Sequence, residues 1–279
     1  NGAALSGATA VHISCFGMTP VVKFGSEEMR QKYLPPLVKG DLHVCFGVTE
    51  PDAGTDTTRI KTTARREGDH YIIKGKKVWT SKAQESSKCL LLTRTTPLEE
   101  CRKKSDGMTL FLADLDPAHV TIRPIPKMGR EAVGSCEVFY DNLKVHVSDR
   151  VGEEGRGFQY LLDGLNAERI LVASEAIAVG QRAIERATQY AKDRVVFNRP
   201  IGMNQGVQFP LADSVAKLEA ADLVTRKAAW LYDTNQPCGD QANIAKYLAT
   251  EAAFEACDRA VQTHGGYGYA AEYHVERYF

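Results

Sequence analysis

The spacing of apolar residues changes twice along this chain, near residue 42 and near residue 157, and each change demands a different secondary structure. From Gly157 onward they recur at helical intervals. Leu161, Leu165, Val172, Ala176, Val179, Ala183 and Ala187 form one stripe; Leu211, Val215, Leu218, Ala221, Val224, Ala228 and Leu231 form a second. Asp240–Val261 is a third, alanine-rich helical stretch, and Phe197–Met203 and Thr234–Gly239, carrying Pro200 and Pro237, are the breaks. Three long amphipathic helices with short connections make most of an antiparallel bundle. Between Leu42 and Arg150 the texture is instead β-branched and period-two, as in His43–Val48, Tyr71–Lys74, Lys77–Thr80, Leu90–Thr93, Thr109–Leu112 and Val138–Tyr140. Turn signals at Glu67-Gly68-Asp69, Lys74-Gly75 and Asp141-Asn142 separate these runs. Short strands at this spacing, not alternating with long helices, point to an antiparallel sandwich or small barrel and away from a parallel doubly wound sheet. The first forty residues read as helix, with Ser26 as N-cap, Glu27 and Glu28 in the first turn, and Pro35-Pro36 and Gly40 closing the element. The expectation is an α+β chain: an N-terminal helical segment (1–42), a central antiparallel β-barrel or sandwich (43–150) and a C-terminal antiparallel helical bundle (151–279).

Charge narrows the function. Lysine and arginine number 35 and aspartate and glutamate 35, a net of zero that lacks the basic surplus of a nucleic-acid-binding protein. No run approaches the ~18 consecutive apolar residues a membrane helix needs. The start, Asn1-Gly2-Ala3-Ala4-Leu5-Ser6, has neither the basic nor the apolar region of a signal peptide and no initiator Met, so the chain reads as cut from something longer. Seven scattered cysteines with no Cys-x-x-Cys pair argue for reduced thiols rather than a disulfide scaffold or zinc ribbon. The histidines form no His-x-x-x-His pair, so no metal site is expected.

Five places carry chemistry. Glu168 falls on the first bundle stripe, between Leu165 and Val172, where scarce water would raise its pKa toward that of a general base. Pairing with Arg169 or another helix explains a carboxylate there equally well, and Glu175 is a rival on the same stripe. Val48-Thr49-Glu50-Pro51-Asp52-Ala53-Gly54-Thr55-Asp56 runs from a strand into a polar loop whose amides and the Thr49 and Thr55 hydroxyls suit a flat polar ligand, or form an ordinary turn. Val78-Trp79-Thr80-Ser81 ends a strand with a tryptophan that either walls an aromatic cofactor or fills a core. Arg194 to Gly202 puts cations at a helix C-terminus, where they serve the dipole or reach a phosphate. Gln262-Thr263-His264-Gly265-Gly266-Tyr267-Gly268-Tyr269 permits close backbone approach to a ligand or simply ends a helix; it follows a helix, not a strand, which excludes the nicotinamide fingerprint.

In this order the five segments resemble the acyl-CoA dehydrogenase family of flavoenzymes over essentially the whole chain. The resemblance implies FAD as cofactor, with Thr49, Trp79 and Ser81 touching the isoalloxazine ring, Phe46 beside it, and Thr55 near both flavin and substrate thioester. It makes Arg194, Phe197 and Gln205 reach the FAD of a neighbouring subunit, and Gln262, Gly265 and Gly266 hold the adenosine pyrophosphate across that interface. In a minority of members the catalytic Glu lies on the first bundle helix in an Asn-x-Glu-Arg setting. Asn166-Ala167-Glu168-Arg169 matches it, which selects Glu168 as base, with Arg169 as a substrate contact, and drops Glu175. The implied reaction is α,β-dehydrogenation of an acyl-CoA to the trans-2-enoyl-CoA, in fatty acid β-oxidation, by a homotetramer built as a dimer of dimers. Electrons would pass to an electron-transfer flavoprotein in a bacterial cytoplasm or mitochondrial matrix. An acyl-CoA oxidase, a flavin monooxygenase or a non-catalytic scaffold on the same fold are the alternatives.

Overall fold

The computed structural model describes residues 8, 12, 13, 16–130 and 132–279. The chain separates into two compact units, Thr9–Leu165 and, chiefly, Asn166–Phe279.

The first unit opens with helices α1 (Thr19–Phe24) and α2 (Glu27–Lys39). Ser26 caps α2 as expected, its hydroxyl accepting from the Met29 N–H at 3.1 Å. Pro35 and Pro36 lie inside α2 rather than ending it; the stop is Gly40, left-handed at φ 83°. Eight strands follow: β1 (Val44–Gly47), β2 (Thr63–Glu67), β3 (His70–Ser81), β4 (Lys88–Arg94), β5 (Met108–Asp114), β6 (Val120–Pro124), β7 (Ser135–His146) and β8 (Arg150–Val151). The ladder runs β6-β7-β3-β2-β4-β5-β8, with β1 also on β4. The sheet is mixed, not wholly antiparallel, because β1 and β2 both pair parallel with β4. No ladder joins β6 to β8 among the described residues, so the expected barrel is not closed. One core packs α1 and α2 against β1, β4 and β5 through Met18, Val21, Met29, Leu90, Leu92 and Leu110. A second fills the other side with Tyr71, Ile73, Leu91, Phe111, Val138 and Leu143.

Lys74-Gly75 and Asp141-Asn142 are not turns. They face each other as an irregularity in the β3–β7 ladder, whose register passes from Ile73↔Leu143 to Gly75↔Tyr140. That leaves one extra residue on β7, and Asn142 takes it up at φ 54°. A second bulge, on β3, lies between Lys77↔Val138 and Thr80↔Cys136.

Helix α3 (Gly157–Asp193) leads into the second unit, where a β-hairpin (β9, Val195–Val196; β10, Arg199–Pro200) precedes α4 (Gln205–Asp233) and α5 (Gly239–His264). Alanines 242, 245, 249, 252, 253, 256 and 260 bury one face of α5. On α4, Ser214 and Thr225 take core positions that Val215 and Val224 were expected to hold. Their hydroxyls are satisfied internally, by Pro210 O at 2.9 Å and Ala221 O at 2.8 Å. The buried positions along α3 include Leu161, Ile170, Ala173, Ile177, Ala183, Ile184, Ala187 and Ala191. Of the expected stripe, Leu161, Ala183 and Ala187 are buried and Leu165, Val172, Ala176 and Val179 half-buried, so it meets the core at its two ends and runs beside it between them. Among the described residues, no helix is long and apolar enough to cross a membrane.

Candidate functional site

In the first unit, β1 delivers the chain into the 48–56 loop, which is pinned at several points. Glu50 and Ala53 exchange backbone hydrogen bonds at 3.2 and 3.1 Å around Pro51-Asp52. The Val78 N–H donates to Thr49 O at 2.9 Å, which lays the loop beside the end of β3. Directly after that contact comes the β3 bulge, and Trp79 occupies it at φ 60°. A bulky residue with left-handed backbone is strained, and such strain persists where the surrounding structure imposes it, commonly at ligand sites. The bulge turns the indole outward, leaving Trp79 57 % exposed rather than in the core. Thr49 is therefore brought beside the Val78-Trp79 segment, and Ser81 follows two residues further along β3. Phe46 lies half-buried on β1, its ring edge-on to Phe16 at 5.5 Å, and Thr55 is exposed further along the loop.

In the second unit, Arg194, Gln262, Gly265 and Gly266 line one open cleft of about 580 Å³, with Tyr190, His264 and Tyr267 among its other walls. The size suits a ligand portion as large as a nucleotide. The Arg194 guanidinium lies over the Tyr267 ring at 5.7 Å, a stacked cation at the cleft wall. Gly265 ends α5 at φ 60°, and no atom lies within 4 Å of where its Cβ would be, so a ligand can approach the backbone there. Gly268 is glycine for the opposite reason: a Cβ would sit 2.2 Å from Val261 O. His264 is buried, its Nδ1 hydrogen-bonded to Ala260 O at 2.7 Å and its ring stacked on Tyr190. Desolvation pulls its pKa below the ordinary value, Arg186 adding to the effect against the Ala260 hydrogen bond, so the imidazole is neutral near pH 7.

Phe197 and Gln205 do not line that cleft. Phe197 (φ 52°) and Asn198 (φ 59°) form the two-residue turn between β9 and β10, two successive left-handed positions usually filled by Asn or Gly, with the Phe197 ring 93 % exposed. Gln205 is exposed at the start of α4. Glu168 belongs to the half-buried row of α3, as does Glu175, so it is less desolvated than the stripe implied. Arg169, half-buried, donates to Asn166 Oδ1 at 3.0 Å.

Two groups went unassigned in the sequence. His264 sits inside a motif that was read for its glycines. Lys77 and Glu50 form a buried ion pair at 2.8 Å, Lys77 0 % exposed and Glu50 6 %. A signal existed: Lys77 has the same parity as the inward-facing Tyr71 and Ile73, and an inward lysine needs a partner.

The outward indole beside hydroxyls in the first unit, and the glycine-walled cleft with a cation in the second, are each surfaces suited to a flat or charged ligand. Residues 1–41, 45–143 and 155–279 match the N-terminal, middle and C-terminal domains of acyl-CoA dehydrogenases. An acyl-CoA dehydrogenase of Bacillus subtilis is 35 % identical over 96 % of this chain and 70 % of its own length. A 3-(aryl)acrylate reductase of Clostridium sporogenes is 38 % identical over 94 % of this chain and 68 % of its own. A solved structure from Acidaminococcus fermentans, concerned with an electron transferring flavoprotein and flavin-based electron bifurcation, holds a similar chain. It superposes with a TM-score of 0.89 at 34 % identity, covering 93 % of this chain and 68 % of that one. The chain belongs to the acyl-CoA dehydrogenase family, and like its relatives it is an FAD-dependent oxidoreductase.

Proposed function

We propose that this chain dehydrogenates an acyl-CoA thioester between its α and β carbons, with Glu168 as the base that removes the α-proton. The observation that carries this reading is the setting of Glu168, half-buried on α3 one row away from the core. Such a carboxylate is partly desolvated yet reachable, as a base working near neutrality must be. FAD, when bound, would supply the two-electron acceptor this oxidation needs, and the product would be the trans-2-enoyl-CoA. Trp79 would wall the ring, with the Thr49 and Ser81 hydroxyls and Phe46 bordering it, and Thr55 and Arg169 would meet the substrate. Arg194, Gln262, Gly265 and Gly266, which line one cleft, would hold the pyrophosphate end. Phe197 and Gln205 reach toward the FAD of a second copy within a dimer of dimers, and the strained, exposed Phe197 turn supports that role. An electron-transfer flavoprotein takes the electrons, in keeping with the Acidaminococcus structure; fatty acid β-oxidation is the process this reaction serves.

The test is flavin bleaching under anaerobic conditions across acyl-CoAs of different length and branching. Glu168→Gln should bind FAD and acyl-CoA yet reduce on the order of 10²–10⁴-fold more slowly, the usual contribution of a general base. Glu175→Gln should bleach like the wild type. Near-wild-type reduction in Glu168→Gln removes the base assignment. A second reading is favoured by the relative from Clostridium sporogenes: the same residues working in the reductive direction, with a protonated Glu168 returning the proton to a conjugated double bond. Oxidation of a chemically reduced enzyme by an arylacrylate, faster than any acyl-CoA reduces the oxidised form, would establish that direction.

A further inference from the structure

The Lys77–Glu50 pair is costly to build. Both side chains leave water, and an apolar pair of similar volume commonly gives equal or greater stability at such sites. Its geometry shows what it does instead. Lys77 Nζ donates to Glu50 Oε1 at 2.8 Å and to Val48 O at 3.0 Å. The other acceptor capacity of the carboxylate is used by the backbone after the loop, by Thr62 N on Oε1 at 3.0 Å and Lys61 N on Oε2 at 2.6 Å. The next residue of β3 adds the Val78 N–H bond to Thr49 O at 2.9 Å. Residues 48, 49 and 50 are thus each gripped by residue 77 or 78, and both ends of the loop, 50 and 61–62, are tied through one carboxylate. A slip by a single residue would reverse the side on which Thr49 lies.

Burial pulls the Lys77 ammonium below the ordinary lysine range, against the pull of Glu50. Desolvation works to raise the Glu50 carboxyl, but the charge and hydrogen bond of Lys77, with the hydrogen bonds at Thr62 and Lys61, hold it below the ordinary range. Each partner answers the other's need in a site without water, and removing one strands the other.

We propose that Lys77 and Glu50 are positioning residues that lock the Thr49 loop in register with the strained Trp79 segment, so that both meet the flavin as one preformed surface. This rests on the reading of Thr49, Trp79 and Ser81 as the flavin wall. Neither side chain touches the ring; both act through the backbone they hold.

The experiment titrates FAD into the full chain by flavin fluorescence, with the flavin visible spectrum, reduction potential and melting temperature of the apo and FAD-bound forms recorded. The proteins are the wild type, Lys77→Met, Glu50→Gln, the double variant, Trp79→Ala, and Asp52→Asn as a control in the exposed Lys61–Asp52 pair of the same loop. Lys77→Met and Glu50→Gln should each weaken FAD binding at least tenfold and shift the flavin band and potential, and Asp52→Asn should do neither. The double variant, which strands no charge, should regain much of the lost melting temperature but not the affinity. Affinity and spectrum within twofold of wild type in folded Glu50→Gln, or an affinity recovered along with stability in the double variant, overturns the proposal. If Lys77→Met fails to fold, the isosteric Glu50→Gln decides alone. Unchanged FAD binding in Trp79→Ala would instead overturn the flavin-wall reading itself.

Discussion

At the level of single residues, Trp79 at φ 60° is a bulky side chain on left-handed backbone, and strain of this kind collects at ligand sites. Left-handed backbone costs an L-residue about 1–2 kcal/mol, a cost glycine escapes. Trp79→Gly and Trp79→Ala lose the same ring contacts, so their difference isolates the backbone. Urea unfolding of the two apo proteins should find the Gly variant more stable by about 1 kcal/mol, the reverse of the usual strand order, in which Ala exceeds Gly. An Ala variant as stable as the Gly variant would mean the bulge carries no strain. His264 gives a second prediction, in pH. Its folded pKa is depressed by burial, so below the ordinary value of 6.5 the unfolded chain takes up a proton that the folded chain refuses. Folded-state stability is therefore lost as pH falls from about 6.5 toward the folded pKa. His264→Gln should flatten that part of the profile, measured as urea midpoints between pH 7.5 and 5. An unchanged slope would assign the acid sensitivity to other groups.

Among the elements, the bundle depends on close helix approach. A Cβ on Gly180 of α3 would meet Leu218 Cδ2 of α4 at 2.8 Å and Ala253 Cα of α5 at 3.1 Å. Gly180→Leu should cost about 1–3 kcal/mol through overpacking. Gly206→Ala, where nothing lies within 4 Å, should be neutral or gain up to about 1 kcal/mol. Equal melting temperatures for the two variants would show that the three helices do not meet at Gly180 in solution. The bundle was legible in sequence because a 3.6-residue repeat over long segments has few other readings. What failed was its phase in the middle of α3, from Leu165 to Val179: alanine and valine are apolar on both the buried and the half-buried row, so Glu168 looked more enclosed than it is. In the sheet, β2 and β6 were not seen, because Arg65, Arg66, Glu67, Arg123 and Pro124 break the β-branched pattern. Two polar dipeptides looked like turns because a left-handed residue signals a turn and a bulge alike. The parallel pairing of β1 and β2 with β4 is non-local and leaves no short-range trace. The site divided similarly: Thr49 and Trp79 lie in motifs readable locally, whereas the Lys77–Glu50 bond joins residues 27 apart in sequence.

At the scale of the whole molecule, the second unit leaves Phe209, Leu223, Trp230, Tyr247 and Phe254 exposed in addition to Phe197. Where exposed apolar residues form a contiguous patch, they mark an interaction surface. If the partner is a second copy that completes the FAD site, cofactor affinity and self-association are linked: each FAD bound stabilises the oligomer, and each dissociation loosens FAD. Sedimentation of the FAD-bound chain over a dilution series should then show FAD released over the concentration range in which the oligomer falls apart. Phe197→Ala should weaken FAD binding while leaving the apo melting temperature within a degree or so, because a ring almost wholly in water contributes little to its own fold. A site completed within one chain behaves otherwise: FAD affinity stays constant through dissociation, and Phe197→Ala binds like the wild type. Either result would move the cofactor site into a single subunit and leave the exposed rings to a different partner.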